Sequence, residues 1–217
     1  LGSHIITRLK QSGYTSVTSA DREENTSLEC EFRELDLLNR IQTAETMKGF
    51  ETIINCIGQV TQPINQCFRL NSTGISNLIS SVNHVNARII QISTTAVYGT
   101  ASECTEESPL NPETSYATAK AFAEHALTEK VAPEFLTILR LSNLYGGNQA
   151  KGLFAYLEKS LLGDRKLQFN NNGSLVRSFM HVQDCADIII NFVNYPHLAG
   201  VYNLKGNDTL SLKDLIH

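Results

Sequence analysis

Two short apolar runs, Thr52 to Ile57 and Ala87 to Ser93, do most to limit what this chain can fold into. The first is a continuous apolar run rather than an alternating one, and each has the length of a strand, so each suits a β-strand covered on both faces. Stretches with helical spacing stand around them: Leu1 to Ser12, Thr43 to Lys48, Cys67 to Asn83 and Ser115 to Lys130. Further strands are expected at Ser16 to Ala20, Phe32 to Leu35 and Thr137 to Leu141. Strands alternating with helices make a parallel sheet with helices on both sides, so the predicted fold is α/β, a doubly wound, Rossmann-like sheet over residues 1–146. From about Gly147 the pattern changes to an apolar helix (Leu153 to Leu162), a Gly/Asn-rich turn (Asn170 to Gly173) and the segment Val176 to Val182. Residues 147–217 are therefore expected to form part of a smaller, substrate-binding lobe, with the chain returning to the main domain.

Composition narrows the partners. At 217 residues and 41% hydrophobic content the chain can bury a real core. A net charge of −4, a pI near 5.9 and the lack of Lys/Arg clusters offer no general attraction to nucleic acid or to an anionic membrane, so an anionic ligand must be held by local devices. No apolar run reaches the roughly 18 residues of a membrane span and no charged-then-apolar leader opens the chain, so a cytoplasmic location is expected. The cysteines (Cys30, Cys56, Cys67, Cys104, Cys185) are odd in number, scattered and never paired as Cys-x-x-Cys. That argues against a disulfide framework and against a zinc site, and no metal is expected.

Tyr116 and Lys120 carry the chemistry. Four apart on a helix they share one face, where an ammonium can lower the phenol's pKa and make it an acid/base catalyst near neutrality. Thr94, at the end of the preceding strand in Ser93-Thr94-Thr95-Ala96-Val97-Tyr98-Gly99, can share the substrate oxygen with that phenol.

A cofactor pattern stands at the N-terminus. Gly2 heads a helix and Asp21 ends the next strand, which is the spacing of the last glycine of a dinucleotide fingerprint and the acidic residue that accepts from the ribose hydroxyls. Asp21 favours NAD, since a carboxylate there repels a 2′-phosphate; Arg22 beside it leaves NADP open. The strand and the two glycines that precede such a helix do not stand before Gly2, so the chain is expected to be part of a longer protein, and these residues alone to be poorly stable and to bind dinucleotide weakly.

Hydroxyl, tyrosine and lysine in this order resemble the catalytic set of the short-chain dehydrogenase/reductases. Leu1 to His4, Asp36-Leu37, Ser93 to Gly99, Tyr116 to Lys120, Arg140 to Gly146, Val176 to Val182 and Val201 to Leu204, taken in order, resemble motifs of the NAD-dependent epimerase/dehydratase family, and are most similar to those of UDP-sugar 4-epimerases. The resemblance implies Thr94, Tyr116 and Lys120 as catalytic residues, with Tyr116 and Lys120 also at the cofactor. It implies Asp36 and Leu37 over the adenine, Gly58 against the cofactor phosphates and Asn71 beneath the nicotinamide half. For the substrate it implies Thr94 and Thr95 at the sugar, Asn143 and Arg177 at the nucleotide's phosphates, and Gln168 to Asn170 past the base. His181 and Asp184 read as structural, the aspartate as a helix cap.

Two departures separate the activities. The 4,6-dehydratases that resemble this chain carry Asp-Glu where Thr95-Ala96 stand, and that pair drives their elimination, so dehydration is not expected. Val60 stands near a place where many epimerases have a polar or basic residue. The leading expectation is a homodimeric, NAD-dependent nucleotide-sugar 4-epimerase acting on a UDP-sugar. A one-way NAD(P)H-dependent reductase of a 4-keto nucleotide sugar is the alternative, and a dinucleotide-binding protein without turnover is the third.

Overall fold

A computed structural model describes residues 1–59, 62–100, 103–147, 176–211 and 213–215, together with 154, 156, 157, 160 and 163. The first half runs α1 (Gly2–Gln11), β1 (Thr18–Asp21), β2 (Glu31–Glu34), α2 (Arg40–Thr46), β3 (Thr52–Asn55), α3 (Ile64–Arg69), α4 (Ile75–Val85) and β4 (Arg88–Thr94). Then follow α5 (Ser115–Lys130), β5 (Leu136–Leu141), β6 (Asn143–Tyr145), β7 (Val176–His181), α6 (Val182–Asn194), β8 (Gly200–Leu204) and β9 (Asp208–Ser211).

Strands β3, β4, β5 and β8 lie side by side in that order, all parallel. Alternation along β4 and β5 sends their aliphatic residues to both faces of the sheet. Ile89 and Ile138 join Ile75, Leu78 and Leu127 in one core, while Ile90, Ile92, Leu139 and Leu141 join Ile5, Leu9, Ile189 and Ile190 in another. Helices α4 and α5 thus cover one face and α1 and α6 the other, which is the doubly wound arrangement expected. β1 and β2 form a separate parallel pair. β6, β7 and β9 form a third sheet, with β9 antiparallel to β7.

Several elements differ from expectation. The run Thr52 to Ile57 yields a strand only as far as Asn55, and Ile53 and Ile54 are partly exposed. Among the described residues β3 is the edge of its sheet. Cys67 to Asn83 is not one regular helix: α3 passes into α4 through a π turn at Leu70–Gly74, an insertion that apolar spacing conceals. The helix expected over 153–162 is seen at 154, 156, 157 and 160; the turn over 170–173, residues 168–170 and Val60 lie outside the described residues. No helix among the described residues is long and apolar enough to cross a membrane.

Burial sets the energetic ranking of these contacts. Leu139 is fully buried between the two layers, whereas Ile41 is 77% exposed. Leu139→Ala should lower the free energy of unfolding by about 2–5 kcal/mol, with a cavity left in the sheet, while Ile41→Ala should change it by less than about 0.5 kcal/mol. Urea unfolding followed by circular dichroism measures both.

Candidate active site

Helix α5 is built to lie close against the sheet. Thr114 caps it, accepting at Oγ1 from the Ala117 amide at 3.1 Å, and Ala117, Ala119 and Ala123 give it a small-residue face. On that face Tyr116 and Lys120 stand one turn apart and reach the carboxyl ends of β3 and β4. The Tyr116 hydroxyl donates to Gln59 Oε1, just past β3. Lys120 Nζ donates to the Ile92 carbonyl of β4 at 2.9 Å and reaches the Ile57 carbonyl at 3.5 Å. Thr94 ends β4 two residues after Ile92, and its Oγ1 accepts from the Ala96 amide at 3.2 Å, capping the 3₁₀ turn Thr95–Tyr98. Thr95, half-buried, opens that turn.

Electrostatics at this edge are governed by desolvation. Lys120 is wholly buried, and burial pulls its pKa from the usual lysine range down to about 8, against the attraction of Cys56, Glu124 and Cys67. Burial also lifts the Tyr116 phenol above its ordinary value, with Cys67 adding to the rise. The expected lowering of the phenol by the lysine is therefore not what this arrangement produces. The ammonium is engaged by two backbone carbonyls, and burial governs the phenol. Burial raises the thiols too, Cys56 to about 11 and Cys185 to about 12, which leaves them protonated and poor nucleophiles.

Gly58 and Asn71 complete this corner. Gly58 has φ +89°, and a Cβ there would lie 2.8 Å from Asn71 Oδ1 and 3.0 Å from Nδ2, so only glycine fits. Asn71, in the π turn, donates from Nδ2 to the carbonyls of Gly58 and Cys67 at 3.0 Å each, and its buried Oδ1 has no partner. Gly58, Asn71, Tyr116 and Lys120 are thus joined through Ile57, Gln59 and Cys67. Gly2 opens α1 with its α-carbon facing Cys56: a Cβ on it would come 3.9 Å from the Cys56 Cβ, which sets the start of α1 over the end of β3.

The remaining expected positions lie farther out. Asp21 ends β1 exposed, its Oδ1 accepting from the Arg22 amide at 2.7 Å, and Arg22 is exposed beside it. Asp36 Oδ1 accepts from the Leu38 amide at 3.0 Å, and Leu37 is a core residue whose carbonyl accepts from Asn77 at 3.0 Å. Asn143 and Arg177 come together on the third sheet, with Arg177 Nη1 donating to Asn143 Oδ1 at 3.3 Å. The cap of α6 is His181 rather than Asp184: its Nδ1 accepts from the Gln183 amide at 3.4 Å, while Asp184 sits in the first turn, where a carboxylate suits the helix dipole.

A profile of the NAD dependent epimerase/dehydratase family matches residues 1–204. The chain belongs to this family. It is 30% identical over 154 residues to a dTDP-glucose 4,6-dehydratase of Streptomyces griseus, covering 68% of this chain and 47% of that protein. The chain thus spans about half the length of the curated relatives it matches. Its fold superposes on a dTDP-glucose 4,6-dehydratase of Bacillus anthracis solved with NAD, with TM-score 0.85, 24% identity, and coverage of 99% of this chain and 75% of that one. It superposes likewise on a UDP-glucuronic acid 4-epimerase of Bacillus cereus solved with NAD, with TM-score 0.86, 23% identity, and coverage of 100% and 78%.

Two kinds of residue escaped the sequence reading. Gln59, which takes the Tyr116 hydroxyl, is a loop residue with no pattern around it. Glu124 carries a signal: Tyr116, Lys120, Glu124 and Leu127 fall on one helical stripe, on which a charge stands beside buried residues. The close approach at Gly58 generates a prediction. Gly58→Ala should displace Asn71 and destabilise the protein by about 1–3 kcal/mol from backbone strain alone, and should weaken NAD affinity by more than its effect on stability accounts for; thermal unfolding and NAD titration on the same preparation measure the two.

Proposed function

We propose that the whole protein is a cytoplasmic, homodimeric, NAD-dependent nucleotide-sugar 4-epimerase, acting on a UDP-sugar by reversible oxidation at a sugar carbon. The observation that carries this reading is the reach of Tyr116 and Lys120 from α5 to the strand ends, the lysine on the Ile92 carbonyl two residues before Thr94, with Thr95 and Ala96 following in place of a carboxylate pair. The relatives include both dehydratases and 4-epimerases by name, and it is Thr95-Ala96 that favours epimerisation here.

The corner described above fits a dinucleotide in three respects. Asn71 Oδ1 is a buried acceptor without a partner, Gly58 has no side chain to block close backbone approach, and farther out Asp21 is an exposed strand-end carboxylate able to accept from ribose hydroxyls. Gly2, Asp21, Gly58, Asn71 and Lys120 would hold NAD, with Asp36 and Leu37 shaping the adenine end and Arg22 exposed beside the ribose. When bound, NAD supplies the hydride acceptor and a positive charge beside the phenol.

The chain's own residues do the rest. Substrate oxygen takes the place of Gln59 Oε1 at the Tyr116 hydroxyl, and Tyr116 as phenolate accepts the sugar hydroxyl's proton. Thr94 hydrogen-bonds the same oxygen and keeps it in place while the sugar turns over. Lys120 holds the ribose and supports the phenolate. Asn143 and Arg177, already adjacent, grip the diphosphate, for which a guanidinium fork is suited. Exposed Phe122 on α5 and Phe68 on α3 offer apolar surface to a second copy.

Tyr116→Phe in the whole protein should lower kcat by about 10²–10⁴ while UDP-sugar binding survives, because the phenol acts only in the transition state. Steady-state kinetics alongside calorimetric titration with UDP checks this. Without added cofactor, the wild type should equilibrate a UDP-hexose with its 4-epimer. Stoichiometric consumption of NAD(P)H with a keto-sugar would establish the reductase instead, and loss of water from dTDP-glucose would establish a dehydratase.

A further inference from the structure

Beneath the catalytic helix lies a row of buried and half-buried polar groups that the proposed reaction does not use. Ser93, Arg140 and Asn203 occupy the same level on β4, β5 and β8, paired across the sheet in register. All three share the face of the sheet that α5 covers, and from α5 the buried Glu124, one turn beyond Lys120, reaches down into the row. Its Oε1 accepts from the Ser93 hydroxyl. Its Oε2 accepts from Arg140 Nη2 at 2.7 Å and Nε at 3.0 Å. Arg140 Nη1 donates on to the Tyr98 hydroxyl at 2.6 Å, and Tyr98 donates to Asn203 Oδ1 at 2.9 Å.

Such a pair is weak evidence of a stabilising role, since buried ion pairs are often replaceable by apolar residues without loss. Its placement gives it another use. Ser93 stands between Ile92, whose carbonyl binds Lys120, and Thr94, so α5 is tied to the end of β4 at two successive levels. Tyr98 closes the turn that Thr94 caps. We propose, resting on the reading of the site given above, that Glu124 and Arg140 are positioning residues for the reaction. They lock Tyr116 and Lys120 on the helix in register with Thr94 on the strand.

Glu124 also acts on Lys120 through space. The titratable groups acting on the Lys120 ammonium are Cys56 beyond β3, Cys67 from α3, and Glu124 from its own helix. The thiols are held protonated by burial, which leaves Glu124 as the anionic neighbour that keeps the ammonium charged, and Arg140 and Tyr98 face Glu124 from the other side. Removing the carboxylate removes an attraction to the cationic form, so the lysine should give up its proton at lower pH.

The test uses Glu124→Gln, and the double variant Glu124→Gln/Arg140→Met, which avoids stranding a buried guanidinium and keeps the fold accessible. In each, ¹³C-labelled lysine followed by NMR, with the Lys120 signal assigned by Lys120→Arg, should show its titration midpoint falling by about one pH unit from the wild type. Turnover should fall at least tenfold with the KM for the nucleotide sugar and the affinity for NAD retained. A Lys120 midpoint at the wild-type value in both variants overturns the proposal, as does unchanged kcat in either. If wild-type protein turns over no nucleotide sugar, the proposed function fails, and the Lys120 midpoint still decides whether Glu124 supports that lysine.

Discussion

A lysine ammonium removed from water must be given partners by the fold, and the carboxyl edge of this sheet is organised around that demand. Lys120 meets the Ile92 and Ile57 carbonyls directly. Behind Ile92 stands a chain of amides: Gln91 Nε2 donates to the same carbonyl at 2.8 Å, and Asn55 Nδ2 donates to Gln91 Oε1 at 2.8 Å. Each member is buried and satisfied by the next, so the strand ends are held as a polar lattice rather than an apolar one. The parallel sheet makes this arrangement available, because its strand ends all lie on one edge with carbonyls free to accept.

The two cores beneath that edge are ordinary in composition and serve to fix its geometry. Ile89 and Ile138 on one face, and Ile90, Ile92, Leu139 and Leu141 on the other, hold β4 and β5 between helix layers. Near the carboxyl end the side chains on the α5 face change from Ile89 to Gln91 and Ser93 and from Ile138 to Arg140, so the same alternation that builds the core delivers the polar row. Fold and site are separated by only one or two residues along a strand.

Much of this was legible in the sequence. The span of α5 follows from helical spacing over Ser115 to Lys130, and β4 and β5 stand where strands are expected over Ala87 to Ser93 and Thr137 to Leu141. What sequence hid was position across the sheet. The pairing of Arg140 with Glu124 was hidden because contact between residues on different elements leaves no local pattern. Gln59 was hidden because a loop has no period. The tuning of Tyr116 was misjudged for a related reason: spacing predicts proximity to Lys120, but burial and the carbonyls that occupy the ammonium are properties of the folded surroundings.

The π turn at Leu70–Gly74 has a consequence for how such a helix can change. A wide turn holds one residue more than the α-helical pattern, so deleting a single residue there would restore a regular helix while rotating everything on its upstream side by roughly 100° relative to α4. The core contacts of Ile75, Leu78 and Val82 would keep their facing, but the Asn71 amide would swing away from Gly58. The helix therefore carries two independent phases, one set by the core and one by the strand ends, and the wide turn is the phase shifter between them.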